Sequence, residues 1–252
     1  MTSAGSPATR LRYAPGLSHR MAKGEPAALS VVLLTIGRVD LSDCRTCRTC
    51  RGPVLPGYAF CYQCDQASQV AGGLLADAVA PIAYAVKGGQ LASDLWRYKS
   101  GLDGADESAG RLREMLSAFL REHGASVWRA AGMIEGPDAV AVVPSGQGRP
   151  GGHPLLGIAG PATGLPVIPL SVRPGCAAHG RHVSTGWLRV DARVSGADVL
   201  LVDDSWVSGA SAQSAAAALK LAGAARVAIV VIGRHVDPAD PRSRDLVRAL
   251  SV

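Results

Sequence analysis

From Pro81 onward the chain alternates short apolar runs with longer amphipathic or alanine-rich ones. Pro81–Val86 (PIAYAV), Ala139–Pro144 (AVAVVP), Pro166–Leu170, Val199–Val202 and Arg226–Ile232 are apolar at nearly every position. A strand that buries both faces reads in this way, and such strands belong to parallel sheets covered by helices. Between the runs, Gln90–Lys99, Glu107–Ala131, Leu155–Ala162 and the alanine-rich stretch after Ser211 carry helical spacing, with a break predicted near Gly124. Strand, helix, strand at this cadence predicts parallel βαβ units and an α/β fold. No internal repeat is visible.

The N-terminal third follows a different pattern. Ala27–Ile36 (AALSVVLLTI) is the longest apolar run, and it is too short to cross a bilayer. No small-x-small cleavage site follows it, so it reads as a short core element rather than a signal peptide, with cytoplasm as the expected compartment. Residues 1–28 read as a flexible tail by composition.

Five of the six cysteines fall between Cys44 and Cys64. Cys47/Cys50 and Cys61/Cys64 form two C-x-x-C pairs, and the RGPVLPGYAF between them lets the chain double back. Two thiolates from each of two tight turns complete the tetrahedron that Zn²⁺ prefers, which predicts a structural zinc site on these four residues. Cys44 also makes C-x-x-C with Cys47 and is a spare thiol that could replace one ligand. A pair of disulfides would need an oxidising compartment, which nothing in the sequence supports. Cys176 stands alone and reads as a small buried or loop thiol.

Composition sharpens this outline. At 48% hydrophobic and 18% charged residues, the chain has a core to bury and is not disordered throughout. Only 4% of residues are aromatic, so that core is built from Val, Leu, Ile and Ala. The net charge is +6; residues 1–70 hold 8 Lys and Arg against 4 Asp and Glu. That excess suits a phosphate-bearing substrate and falls short of a dedicated DNA-binding arm.

The densest chemistry lies in Val199-Leu-Leu-Val-Asp203-Asp204-Ser205-Trp206-Val207-Ser208-Gly209-Ala210-Ser211. An apolar strand leads into two carboxylates, then a Ser/Gly/Ala loop opens a helix. Ligands bind outside the carboxyl ends of strands in open parallel sheets. Ser208 to Ser211 offer hydroxyls and helix N-terminal N–H groups to a phosphate, and Gly209 clears the approach. Asp203 and Asp204 suit sugar hydroxyls or Mg²⁺. A diol site beside a phosphate cradle describes a ribose 5-phosphate unit. Neither Asp204 nor Gly209 reads as a core position.

This stretch resembles the phosphoribosyl-diphosphate motif of type I phosphoribosyltransferases, with Ser208-Gly209-Ala210-Ser211 in the Thr-Gly-x-Thr place. Joined to the cysteine module, the resemblance narrows to the ComF family, whose transferase-like part is amidophosphoribosyltransferase-like. Cys47-Arg-Thr-Cys50-Arg-Gly-Pro-Val-Leu is similar to that family's C-x-x-C-G-x-P-L. Tyr84, Lys87, Leu91, Leu95 and Lys99 are similar to its Tyr- and Lys-bearing stretch. The resemblance implies a type I phosphoribosyltransferase-like parallel sheet over residues 71–252, preceded by a leader element and a four-cysteine zinc-ribbon module over 29–70. It implies Asp203 and Asp204 as catalytic residues, and Ser205, Val207, Ser208, Gly209, Ala210 and Ser211 around the substrate.

The middle segment departs from the family. After Val142-Val143-Pro144 the chain reads SGQGRPGGHPLLGIA instead of the usual basic stretch. Ser145 to Arg149 can still form a diphosphate loop, with Ser145 and Arg149 as contacts. Arg173 to Arg189 would be a mobile hood carrying Arg173, His179, Arg181 and His182, with Arg181 against substrate. The function implied is transfer from phosphoribosyl diphosphate with Mg²⁺ to an acceptor that the sequence does not name. The alternative is a ComF-like accessory protein that senses a phosphoribosyl ligand without turnover and contacts nucleic acid through its cationic knuckle. No membrane partner is expected, and the oligomeric state stays open.

Overall fold

The computed structural model describes residues 46–145, 153–176 and 180–250. The run Ala27–Ile36, Cys44, Arg149, Gly152 and His179 lie outside the described residues.

Five strands form one parallel sheet: β1 (Ala78–Val86), β2 (Ala139–Val142), β3 (Val167–Ile168), β6 (Asp198–Trp206) and β7 (Arg226–Val236), in the order β1-β7-β6-β2-β3. The apolar runs thus form parallel strands. Alternate residues of the two central strands point to opposite faces, and each face is apolar. Leu200, Val202, Val230 and Ile232 pack under α2 (Gln90–Arg97), α3 (Ala105–Ala131) and α4 (Leu156–Thr163). Val199, Leu201, Val227, Ile229 and Val231 pack under α5 (Ala210–Leu221). Among the described residues no helix is long and apolar enough to cross a membrane.

Several predicted boundaries differ in the structure, and β1 for one begins three residues early, at Ala78. Helix α3 runs unbroken for 27 residues through Gly124, which lies on its buried face against the Trp128 ring, 3.3 Å from where a Cβ would stand. The glycine there serves close packing; the helix stops at Gly132, whose left-handed φ of 76° closes the last turn. The run Pro166–Leu170 is split at Pro169, which has no N–H to donate to a ladder. Val167 and Ile168 stay in the main sheet, while β4 (Leu170–Val172) turns away to pair antiparallel with β5 (Leu188–Val190). Strands β6 and β7 both run four residues past their predicted ends, as far as the Trp206–Arg234 pair and beyond.

The cysteine knuckle lies on the α5 face and shares its core. Cys47, Cys50 and Cys64 are buried in the same cluster as Trp206, Leu201 and Val231. The knuckle's turn is closed by Cys47 N–H to Gly52 O (2.7 Å) and Arg51 N–H to Cys47 O (2.9 Å), with Arg51 at a left-handed φ of 57°. Helix α1 (Tyr62–Ala71) starts directly after Cys61 and puts Cys64 in its first turn. At the other end, α6 (Arg244–Leu250) covers Tyr84, Val86 and Val236.

Helix α2 reaches the sheet because β7 carries Gly233. A Cβ there would stand 2.4 Å from Leu95 Cδ1 and 3.0 Å from Ala85 Cβ. Gly233→Ala should therefore destabilise the protein by about 1–3 kcal/mol through overpacking, measured as a lower urea midpoint with an unchanged m-value.

Candidate functional site

The sheet order places a topological switch between β2 and β6. From β2 the chain crosses to β3 at one edge; from β6 it crosses to β7 in the other direction. A crevice opens at such a point beyond the carboxyl ends of the strands. Here it is a cleft of about 300 Å³, lined by Val143–Ser145 after β2, Asp203–Ser205 at the end of β6, Val207–Ser211 at the start of α5, and Lys99 and His153.

The acids are held differently. Asp204 is buried, 4% exposed, and its Oδ2 accepts from the Tyr98 hydroxyl and pairs with the Lys99 ammonium. Asp203 sits on the opposite side of the strand, its Oδ1 accepting the Asp204 N–H at 2.9 Å. Burial pushes the Asp203 carboxyl up to about 8, the negative charge of Asp204 adds to this, and Lys99 opposes it. A carboxyl so perturbed, beside a second acid and in a cleft, marks a site built for charge.

The loop into α5 forms the cradle. Gly209 precedes the helix at φ 79°, and its carbonyl accepts the Gln213 N–H at 2.9 Å. Ser208 Oγ accepts the Ala210 N–H at 3.3 Å. The first N–H groups of α5 have no carbonyl within the helix and face where an anion would sit. The expectation that Gly209 and Asp204 lie outside the core is corrected here. A Cβ on Gly209 would stand 2.1 Å from the Trp206 ring, and Asp204 belongs to a buried ion pair. Any larger residue at position 209 would disturb packing before it met a ligand.

The structure thus brings Asp203, Asp204, Ser205, Val207, Ser208, Gly209, Ala210, Ser211 and Ser145 to one cleft. Arg181 is exposed and does not line it. The segment expected to be a hood joins β4 to β5; Arg173 Nε donates to Leu188 O at 3.0 Å, and Ser184 N–H donates to Ser214 Oγ of α5 at 2.8 Å. Cys176 is an exposed loop thiol in this segment. Tyr98 and His153 are cleft residues that sequence reasoning does not single out, and Lys99 enters there only through its likeness to a Lys-bearing stretch, not as a partner of Asp204. Lys99 is visible as the cation closing a helical stretch, but its meeting with Asp204 is a tertiary contact between elements far apart in the chain. His153 Nδ1 accepts the Leu155 N–H at 3.1 Å, and its ring lies 6.5 Å from that of Tyr98.

The four predicted cysteine ligands converge. The sulfurs of Cys47, Cys50, Cys61 and Cys64 lie within 4.8 Å of one another, and Cys50 and Cys61 are 3.7 Å apart. All four are free thiols. Four thiolates at about 2.3 Å from a tetrahedral ion stand about 3.8 Å apart, so the cluster is able to hold such a metal. Thiols this crowded divide their protons unequally: hydrogen bonding with Cys50 pulls the Cys47 thiol far down, and hydrogen bonding with Cys47 pushes the Cys64 thiol up. A thiophilic cation relieves that competition by displacing the protons.

No family model matches the sequence, and no curated protein matches it. Solved structures are similar to parts of the chain, among them three enzymes of phosphoribosyl chemistry by their names. The phosphoribosylpyrophosphate synthetase of Mycobacterium smegmatis is 21% identical over 53% of this chain and 36% of its own, with a TM-score of 0.32. The purine phosphoribosyltransferase of Pyrococcus horikoshii Ot3 is 16% identical over 52% of this chain and 88% of its own, TM-score 0.31. The hypoxanthine phosphoribosyltransferase of Staphylococcus aureus is 14% identical over 50% of this chain and 74% of its own, TM-score 0.31. The matched part spans about a third of the synthetase's length.

Asp203 generates a pH prediction. An acid whose folded value is raised to about 8 keeps its proton in the native state after the unfolded chain has lost it. The native state therefore loses stability as pH rises from about 4 to about 8, and the loss levels off above that. Asp203→Asn has no proton to lose, so its melting temperature should gain on the wild type steadily between pH 5 and pH 8. A constant difference across that range would contradict the burial of this carboxyl.

Proposed function

We propose that the chain is a phosphoribosyltransferase that takes phosphoribosyl diphosphate, with Mg²⁺, as donor. The observation that carries this reading is the meeting of two carboxylates and a serine-glycine helix N-terminus in one cleft at the switch point of a parallel sheet. The α5 cradle would take the 5-phosphate, with Ser208 and Ser211 hydroxyls beside it, and Asp203 and Asp204 would accept from the ribose hydroxyls. When the C1–O bond to diphosphate breaks, positive charge grows at the anomeric carbon, and the Asp204 carboxylate stabilises it, joined by Asp203 once that acid has given up its proton. Lys99 would then swing from Asp204 towards the departing diphosphate, joining Ser145 and Arg149. Asp203 and Asp204 are the residues that would help hold Mg²⁺, which would supply charge neutralisation to the leaving group.

The acceptor would enter from the adjoining hollow of about 380 Å³ below β4, whose walls are mainly apolar (Val142, Leu156, Ile168, Leu170, Val172) and which shares Ser145 and His153 with the cleft. Residues 71–252 would form this transferase unit and 29–70 the leader and zinc module. A second reading is favoured by Tyr58, Phe60 and Tyr62, which stand exposed on the knuckle beside the exposed Arg48. In that reading the cleft senses the same ligand without turnover, and the knuckle contacts nucleic acid through stacking and charge. Diphosphate release on adding phosphoribosyl diphosphate, Mg²⁺ and a panel of bases and amines supports turnover. Binding without release supports the sensor.

Calorimetric titration of phosphoribosyl diphosphate with Mg²⁺ tests the ligand itself. Ser211→Ala leaves the helix intact and removes one hydroxyl from a phosphate, so affinity should fall about tenfold to a hundredfold at unchanged thermal stability. No binding by the wild type, or equal binding by the variant, would contradict the reading.

The metal carries its own prediction. Protein purified without chelator should contain one Zn²⁺ per chain, and Cys61→Ser should lose it. Elemental analysis decides; two disulfides in place of zinc would overturn the assignment.

A further inference from the structure

Arg234 is a buried cation that the cleft does not use. It lies near the end of β7, 8% exposed, and its hydrogen bonds go to backbone carbonyls. Nε donates to Cys50 O at 3.2 Å, and Nη1 donates to Trp206 O at 3.0 Å and to His235 O at 2.7 Å. Among the described residues no carboxylate forms an ion pair with it. A guanidinium taken out of water without a counter-charge is costly.

The knuckle can supply that counter-charge. A divalent cation held by four thiolates leaves two negative charges. Arg234 reaches this cluster through the backbone carbonyl of Cys50, one of the four. It also lies flat against the knuckle backbone, since a Cβ on Gly52 would stand 2.0 Å from its Nη2. On its other side, Arg234 holds the carbonyl of Trp206, the residue whose ring lies under Gly209. Cys64, Trp206 and Ser208 further share the wall of one small hollow of about 160 Å³ between the knuckle and the loop.

We propose that Arg234 is a positioning residue that couples the metal centre to the loop Val207–Ser211, so that filling the four-cysteine site orders the loop and raises its affinity for a phosphate ester. The filled centre fixes the guanidinium, the guanidinium fixes the end of β6, and the Trp206 ring fixes Gly209. The ligand half of this inference rests on the phosphoribosyl reading above; the coupling half does not.

Amide hydrogen exchange on the full chain tests it, with zinc bound and after chelation. Removing zinc from the wild type should speed exchange at Trp206–Gln213 at least about tenfold and leave α2, on the other face of the sheet, unchanged. Phosphoribosyl diphosphate affinity should fall in parallel. Arg234→Met keeps the volume and drops the charge. It should hold zinc about ten- to a hundredfold more weakly against a chromophoric chelator, and at saturating zinc its loop should already exchange as fast as the zinc-free wild type. Arg234→Lys restores the charge but cannot bridge Cys50 and Trp206, so it should recover zinc affinity without recovering loop protection. If chelation leaves the loop unchanged, or speeds α2 equally, the coupling is wrong. It is equally wrong if Arg234→Met matches the wild type. Should Arg234→Met fail to fold, chelation of the wild type decides alone. If the exchange pattern holds and phosphoribosyl diphosphate binds in neither state, the coupling stands and the ligand reading falls.

Discussion

The unequal pairing of β6 organises this molecule. On one edge β6 is bonded to β7 along its whole length, from Asp198 to Trp206. On the other it is bonded to β2 only from Val199 to Val202. The last four residues are therefore rigid on one side and open on the other. Asp203 and Asp204 fall in that half-open stretch, which keeps a buried strand's fixed geometry yet leaves room for a ligand. The opening of the cleft beside the two acids follows from where β2 stops.

Much of this is legible in the chain. Continuous apolar runs such as Ala139–Pro144 and Arg226–Ile232 announce parallel strands because burial on both faces leaves no polar alternation to read. The two C-x-x-C pairs announce their own convergence, since a knuckle is a local structure. The Ser-Gly-Ala-Ser loop announces a helix start for the same reason. Contacts between distant elements are not legible. The meeting of Tyr98 and Lys99 with Asp204 depends on how close α2 comes to the sheet, and Gly233 sets that distance. Arg234 reads as one more polar residue past the end of a strand, because its three carbonyl partners include two that lie far off in sequence. Pro169 does carry a local signal, the missing N–H, which marks the point where one apolar run serves two sheets.

The knuckle and the sheet also divide the work of burial in a way composition alone does not suggest. A core poor in aromatics places Trp206 where β6, α5 and the cysteine cluster meet, with Trp187 buried in the same cluster. Small residues surround Trp206: Gly209 above its ring and an alanine-rich helix face beside it. Alanine and glycine let backbones approach closely, and the tryptophan rings fill what they leave.

The pair between Lys99 and Asp204 gives the cleft an internal tenant. A ligand that engages Asp204 exchanges one partner for another, and its measured affinity is the difference between two attractions rather than the whole of one. Such a cleft discriminates by competition. A weakly held hydroxyl compound cannot evict the ammonium, whereas a ligand that also brings anionic groups offers Lys99 a new place to go.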